Sequence, residues 1–375
     1  MADHRQLTAI EIEGFTSIRS ARVEFGAMNV LIGANGAGKS NFAQAFEFLC
    51  RISEGLLNLF VGRNGGASAL INDGMDSQRI SLKLMAPPNS YQADLVATPN
   101  EELIFDDEVL THHSPGGQEP WTRSIGQGHR ESRLTEVINE PGIGPVAARI
   151  VELLQGCRVY HFHDTSSDAP VKRLTPAADN IALRADAGNI AAVLLRLQTS
   201  ELRADKAAYR RIVGAIRLVA PFFRDFVLEP DRTDRILLRW RQQGAEAVLS
   251  GDQMSDGALR FACLATLLLQ PKPPALVVLD EPELGLHPVA IGLIADLLRA
   301  VSTKSQVLIA TQSVTLMNQF SVDDLIVVGQ REGSSVFARP NAAALKNWLD
   351  EYSLGELWEK NIIGGPGSLS SALDA

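Results

Sequence analysis

Gly33-Ala34-Asn35-Gly36-Ala37-Gly38-Lys39-Ser40 reads G-x-x-x-x-G-K-S, and its neighbours decide the fold. The apolar run Met28-Asn29-Val30-Leu31-Ile32 before it predicts a buried strand. Ser40 onward, with Phe42, Ala43, Ala45, Phe46, Phe48 and Leu49, predicts a helix. Strand, glycine loop and helix in that order make a phosphate-binding loop. With Gly near 7% of residues, chance supplies about 0.01 such matches in a chain of this length. The glycines let the backbone wrap around phosphate oxygens where a Cβ would clash. Successive N–H groups then point inward at the positive end of the next helix. Lys39 would neutralise phosphate charge, and the Ser40 hydroxyl is placed to ligate Mg²⁺. The stretch therefore predicts an α/β P-loop fold that binds a nucleoside triphosphate through Gly33, Asn35, Gly36, Gly38, Lys39, Ser40 and Asn41.

A second motif lies far downstream. Ala275-Leu276-Val277-Val278-Leu279-Asp280-Glu281-Pro282 is an apolar strand ending in two carboxylates. A wholly apolar strand suits the middle of a parallel sheet, and ligands of such sheets bind beyond the carboxyl ends of strands. Asp280 would hold Mg²⁺, and Glu281 could take a proton from the attacking water. Just before this strand, Ser255-Asp256-Gly257 starts a helix that runs to Leu269 and is stopped by Pro271, Pro273 and Pro274. A Ser-capped helix start is an anion site, though alone it is equally an ordinary buried helix.

Composition narrows the classes. At 375 residues and 45% hydrophobic, the chain can build one large domain or two lobes. No apolar run approaches the roughly 18 residues of a membrane span, and the charged start lacks a secretion pattern. Cys50, Cys157 and Cys263 form no C-x-x-C, which fits a reducing cytoplasm. A net charge of −9 argues against a generally nucleic-acid-coating protein, though not against a local basic face.

Strands are expected at Ala9–Glu13, Arg22–Phe25, around 80–97 with a turn at Pro87-Pro88-Asn89, and at 235–240 and 245–249. Residues 188–223 show helical spacing. Residues 111–145, rich in Gly, Pro, Ser and His without periodicity, read as a mobile insertion. From Ser255 onward, helix–strand alternation returns.

Together these pieces resemble the ABC-type ATPase heads of the RecF/SMC/OLD-like branch. Met254-Ser255-Asp256-Gly257 looks like the signature motif of that branch. Asp280-Glu281-Pro282-Glu283-Leu284-Gly285-Leu286-His287-Pro288 looks like its Walker B and D-loop, and Thr311-Gln312-Ser313 occupies its switch position. Tyr160-His161-Phe162-His163-Asp164-Thr165-Ser166 and Leu354–Gly364 are similar to compact bacterial RecF-like AAA-family ATPases, linked to DNA repair and, in relatives, to phage defence. The resemblance implies a single head over 1–362. Its lobe I would be 1–110 plus 271–362, its helical lobe II 146–270, and 363–375 a flexible tail. It also implies a core sheet with an antiparallel N-terminal subsheet, Mg²⁺-dependent ATP hydrolysis, and a homodimer sandwiching ATP. Glu281, Lys39 and Gln312 would be catalytic, Ser40 and Asp280 would hold the metal, and Ser255, Asp256 and Gly257 would act in trans. DNA and a separate effector such as a nuclease are the implied partners; no membrane is.

Three departures qualify it. Gln312 stands where many ABC ATPases carry His and cannot become a cation near pH 7, so slow hydrolysis or a non-hydrolysing ATP-switched module stays open. Leu249-Ser250-Gly251-Asp252-Gln253 imitates a transporter signature, leaving a transporter subunit as a further alternative; Ser255 is preferred because a helix follows it directly. The Q-loop glutamine has no obvious position. His161, His163 and Asp164 could ligate a metal from one strand face, but a structural or interface role is the simpler reading. His287 before Pro288 marks a helix start. Between Glu201 and Arg241 ten Lys/Arg face six Asp/Glu. Arg210, Arg211, Arg217 and Arg224 could form a DNA-phosphate face, with a solvated helix surface an equal reading. The chain has neither SMC-type heptads nor a zinc hook. The 63 residues after Gln312 are too few for an OLD-type nuclease domain, so cutting would fall to another chain.

Overall fold

The computed structural model describes residues 7–74, 78–113 and 120–363. The chain divides into two compact units: residues 1–159, 274–278 and 306–375, and residues 160–273 and 279–305.

The first unit is built on two sheets. Strands β1 (Ala9–Phe15), β2 (Ile18–Glu24), β4 (Arg79–Ala86), β5 (Asn89–Ala97), β6 (Leu103–His112) and β7 (Trp121–Gly126) form an antiparallel sheet in the order β2-β1-β4-β5-β6-β7. In β4 every second residue is buried, because one face meets the core and the other does not. The other sheet takes β3 (Met28–Gly33), β8 (Cys157–Tyr160), β14 (Leu276–Asp280), β15 (Gln306–Thr311), β16 (Leu325–Arg331) and β17 (Ser334–Ala338), in the order β17-β16-β3-β15-β14-β8. β3 runs parallel to β15 and β16, and every residue of β3 and β15 is buried.

Helix α1 (Lys39–Glu54) supplies the core between these sheets. Phe42 and Phe46, one helical turn apart, are fully buried, as is Phe48 on another face of the helix. Phe48 meets Phe15 of β1 at 5.4 Å between ring centroids, and Phe42 meets Phe337 of β17 at 4.8 Å. Each such ring contributes roughly 1.5–3 kcal/mol by leaving water. α2 (Leu57–Arg63), α3 (Ala67–Leu70), α4 (Gly144–Gly156), α9 (Val314–Met317), α10 (Ala342–Leu349) and α11 (Leu354–Glu359) complete the unit.

The second unit is largely helical, with α5 (Ile190–Thr199), α6 (Arg203–Val219), α7 (Asp256–Leu269) and α8 (Pro288–Ser302). β10 (Phe223–Phe226), β12 (Arg239–Gln242) and β13 (Val248–Ser250) make a three-stranded antiparallel sheet, and β9 (Thr175–Pro176) pairs with β11 (Arg235–Ile236). Trp240, buried in β12, donates its indole N–H to the Ser250 carbonyl at 3.0 Å.

Several expectations need correction. The stretch 111–145 contains β7 and a 3₁₀ turn at Val137–Asn139; residues 114–119 of that stretch lie outside the described residues. Buried Glu108 holds the segment after β7. Its carboxylate accepts from Tyr91 Oη (2.7 Å), Ser132 Oγ (2.5 Å), His129 Nε2 (2.9 Å) and the Arg133 backbone N–H (3.0 Å). That order comes from a distant carboxylate, so it leaves no local periodicity. The helical stretch 188–223 breaks between α5 and α6, and the strand expected at 235–240 divides between two sheets. α4, expected in lobe II from residue 146, belongs to the first unit because Val146, Ile150, Val151 and Leu154 join its core. α8, expected in lobe I, belongs to the second. Of the expected tail, Ile363 is buried and 364–375 lie outside the described residues.

Candidate functional site

β3 ends at Gly33, where the backbone passes so close to β16 that a Cβ would strike the Val328 carbonyl oxygen. The chain turns through exposed Asn35 and Gly36 and enters α1 from Gly38, whose φ of 109° is a left-handed conformation. No side chain caps α1 and no acid occupies its first turn, so the helix N–H groups keep their full positive end. Lys39 is 5% exposed; its Nζ donates to the carbonyls of Gly33 (2.8 Å) and Ala34 (3.0 Å), which folds the cation over the loop. Ser40, one residue into the helix, is exposed. Such a cradle of N–H groups with a buried cation fits the phosphates of a nucleotide and excludes a cationic ligand.

The loop is held from behind by residues that its motif does not name. Ser335 Oγ donates to the Ala37 carbonyl at 2.8 Å and lies 2.7 Å from Ser17 Oγ; Asn41 Nδ2 donates to Ser17 Oγ at 2.7 Å. Ser335 has one hydroxyl hydrogen, already given to Ala37, so Ser17 must donate to Ser335. The result is a one-way relay, Asn41 to Ser17 to Ser335 to Ala37, in which each bond polarises the next. Gln330 Nε2 adds a bond to the Gly36 carbonyl at 2.9 Å. Asn41, expected at the nucleotide, thus has its amide nitrogen on Ser17. Ser17, Gln330 and Ser335 carried no signal in the sequence.

β15 lies beside β3 with Thr311 in register with Ile32, so the chain leaves β15 at exposed Gln312 level with the start of the loop at Gly33. Thr311 Oγ1 accepts from the Ser313 N–H at 2.9 Å, and Ser313 Oγ caps α9.

In the second unit, Asp280 ends β14, and Glu281 takes a φ of 43° to begin the turn closed by Leu284 N–H on the Glu281 carbonyl. A left-handed conformation costs a residue with a side chain about 1–2 kcal/mol, and such positions cluster at functional sites. His287 caps α8, its Nδ1 accepting from Val289 N–H at 3.3 Å ahead of Pro288, which is the helix start expected.

The two signature registers differ physically. Ser250 and Gln253 form a reciprocal capping box around a 3₁₀ turn at Gly251–Gln253, and Met254 and Ser255 separate that turn from the next helix. α7 begins directly after Ser255, whose exposed side chain makes no capping hydrogen bond. Asp256 is exposed in the first turn, and a Cβ on Gly257 would lie 3.0 Å from the Gly285 carbonyl oxygen.

Arg260, one helical turn further along α7, was not anticipated. Its Nη1 donates to the Leu284 carbonyl at 3.0 Å, and its Nη2 to the His163 carbonyl at 2.9 Å and to Thr165 Oγ1 at 3.4 Å. One planar guanidinium therefore ties the signature-like helix, the turn after Glu281 and the His163–Thr165 segment together. Phe162, His163, Arg260 and Leu264 line a pocket with Asp280 and Glu281, of about 240 Å³ including its mouth.

β8 stops at Tyr160, so His161 and His163 do not share a strand face, although their rings are 6.2 Å apart. Asp164 accepts from the Ser166 hydroxyl and N–H, which hold its carboxyl below the usual range. Among the described residues no group of three His, Cys, Asp or Glu is arranged to hold a metal.

A six-stranded sheet carrying a P-loop between β3 and α1, beside an antiparallel subsheet, gives the chain the fold of the ABC/RecF/SMC-like ATPase heads. Within that class the chain belongs to the family described as "AAA domain, putative AbiEii toxin, Type IV TA system", whose profile matches residues 28–140 and 160–318. Three solved structures share the fold. An Smc head bound to the C-winged helix domain of ScpA is 19% identical with a TM-score of 0.56, over 91% of this chain and 99% of that one. An Smc head with an extended coiled coil, bound to the C-terminal domain of ScpA and derived from Pyrococcus furiosus, is 17% identical with a TM-score of 0.56, over 92% and 98%. An Smc head with coiled coil and joint from Pyrococcus yayanosii is 15% identical with a TM-score of 0.51, over 92% and 99%. No curated protein matches the sequence. Among the described residues no helix is long and apolar enough to cross a membrane.

Proposed function

We propose that this chain binds ATP with Mg²⁺, dimerises around it and hydrolyses it. The observation that carries the reading is the uncapped, acid-free start of α1 with the Lys39 amine folded over the loop. Gly33, Asn35, Gly36, Gly38 and Asn41 would shape the phosphate cradle, and Lys39 would neutralise its charge. Ser40 and Asp280 would hold Mg²⁺, whose chemistry is to neutralise charge on the phosphates. Glu281 would take the proton of the attacking water, and Gln312 would orient that water by hydrogen bonding. Ser255, Asp256 and Gly257 of a second copy would meet the γ-phosphate; that Ser255 Oγ is not consumed as a helix cap supports this register. The capped 3₁₀ turn at Ser250 favours it over a transporter-type signature.

Residues 1–362 would act as one two-lobed head in the cytoplasm. It would serve DNA maintenance or phage defence with a separate effector, and the toxin–antitoxin description of the family fits the defence side. The test is nucleotide binding and phosphate release. Lys39→Ala should abolish ATP binding, and Glu281→Gln should keep binding while lowering turnover about 10²–10⁴-fold. Equal turnover in wild type and Glu281→Gln would refute the catalytic assignment.

A further inference from the structure

Gln312 leaves β15 level with the phosphate loop, and Val314, the first residue of α9, comes two residues later. Ser313 joins them and is held on both sides: its N–H donates to Thr311 Oγ1 at 2.9 Å, and its Oγ accepts from the Leu316 N–H at 3.2 Å. No loose link therefore separates the switch residue from α9. A helix of one turn is unstable alone, because it fixes several dihedrals for few hydrogen bonds. α9 takes its position from what packs on it.

α11 packs on it. A helix start leaves its first N–H groups without partners. In α11, Ser353 Oγ accepts from the Glu356 N–H at 3.4 Å, while the Gly355 N–H donates to Asn318 Oδ1 at 2.6 Å. Asn318 is the C-cap of α9, so the end of one helix caps the start of the other. Gly355 permits that approach: a Cβ there would overlap Val314 Cγ1 and lie 3.0 Å from both polar atoms of the Asn318 amide. α11 is itself stiff. A Ser353–Glu356 capping box closes its front, and behind it the Ile362 N–H donates to the Leu357 carbonyl at 2.9 Å around Asn361, whose φ is 58°. Leu357 and Trp358 are buried.

We propose that Asn318 and Gly355 are positioning residues for ATP hydrolysis: the seating of α11 on α9 sets where Gln312 stands beside the phosphate loop. This rests on the ATPase reading, and it places control of the switch residue in two side-chain positions 37 residues apart in the chain. Neither belongs to β3, the glycine loop or α1, which build the phosphate cradle. Their loss should therefore spare ATP binding and act on turnover. A misplacement of about 1 Å near a reacting group can cost about 100-fold in rate.

The test pairs phosphate release and ATP binding with hydrogen–deuterium exchange of the full chain. Asn318 is exposed, so Asn318→Leu removes the acceptor without opening the core. It should lower kcat about 10–100-fold with ATP affinity unchanged. Without nucleotide, it should also speed exchange at residues 317–320, whose N–H groups close α9. Asn318→Asp keeps the acceptor, at a helix start that favours an anion, and should restore kcat. Gly355→Ala should lower kcat likewise, and less so in a Val314→Ala background, where the obstructing Cγ1 is gone. Wild-type turnover in Asn318→Leu would overturn the proposal, as would an equal loss in Asn318→Asp or in the α11 surface change Glu359→Gln. So would a lowered melting temperature with kcat kept, the mark of a merely structural contact. If the wild type itself releases no phosphate, the ATPase reading fails and exchange decides alone. Faster exchange at 317–320 in Asn318→Leu then sustains the hold of α11 on the switch segment, and unchanged exchange refutes it.

Discussion

Gly38→Ala should be among the most damaging single-methyl additions in this chain, and the reason is geometric. Gly38 has a φ of 109°, where a Cβ costs about 1–2 kcal/mol. The added methyl would also overlap Ser335 Oγ, and it would lie 2.8 Å from Ser335 Cβ and 2.9 Å from Ser17 Oγ. Ser335 cannot turn away without releasing the Ala37 carbonyl and Ser17. Overpacking typically costs about 1–3 kcal/mol and a lost hydrogen bond about 0.5–1.5 kcal/mol. Together these give about 2.5–6.5 kcal/mol. Gly36→Ala is the matched control: its φ is 77°, yet no atom lies within 4 Å of the new Cβ, so the backbone cost of about 1–2 kcal/mol stands alone. Urea unfolding followed by circular dichroism should therefore separate the two variants by about 1.5–4.5 kcal/mol. Adding Ser335→Gly to Gly38→Ala should cost less than the two changes summed, because the obstructing side chain is gone. Equal destabilisation by Gly38→Ala and Gly36→Ala, or simple additivity with Ser335→Gly, would refute the reasoning.

Four further outcomes concern the second unit and the buried thiols. Ser250→Ala should lower stability by about 0.5–2 kcal/mol in a denaturant titration, because it removes a working cap, while Ser255→Ala should change it by less than about 0.5 kcal/mol. In a Glu281→Gln background, Ser255→Arg should dissolve the ATP-bound dimer in light scattering; a dimer lost with Ser250→Arg and kept with Ser255→Arg would move the signature five residues back. Arg260→Leu should cost about 1–3 kcal/mol by leaving the His163 and Leu284 carbonyls without their donor, and Arg260→Lys should recover less than half of it in thermal melts, since an ammonium cannot reproduce the fork; a wild-type melt for Arg260→Leu would sink the clasp. Burial, with Glu54 adding, pushes the Cys50 thiol up to about 11; burial also pushes Cys263 up to about 12 and raises Cys157 further. A raised pKa keeps each thiol protonated near pH 8, so iodoacetamide should label them only after unfolding, as mass spectrometry would show; rapid labelling of the native protein would contradict the burial.

The parts legible in the sequence are those whose cause is local. β3, the glycine loop and α1 follow one another within about 25 residues, so strand hydrophobicity, loop chemistry and helix periodicity could be read in a single window. The same holds for apolar β14 ending at Asp280, for α7 starting after Ser255 and stopping before Pro271, and for α8 capped at His287. In each case the residue that forms the element also announces it.

Tertiary structure decided whatever depends on partners far apart in the chain. The relay behind the loop runs from Asn41 through Ser17 and Ser335 to Ala37, and no pattern within 20 residues of a serine announces such a bond. Arg260 is one arginine on an apolar helix until Leu284 and His163 are brought to it. The segment after β7 looks structureless because its order comes from Glu108, and α4 joins the first unit because the α1 aromatics are there to receive it. The charge of α6 shows the same division. Composition counted ten cations and six acids between Glu201 and Arg241, but only folding turned Asp205 inward and left Arg203, Lys206 and Arg210 on one outer line. Periodicity tells which face of a helix is buried; which charges find partners is settled only when the chain packs, because a carboxylate keeps its charge in apolar surroundings only where donors reach it.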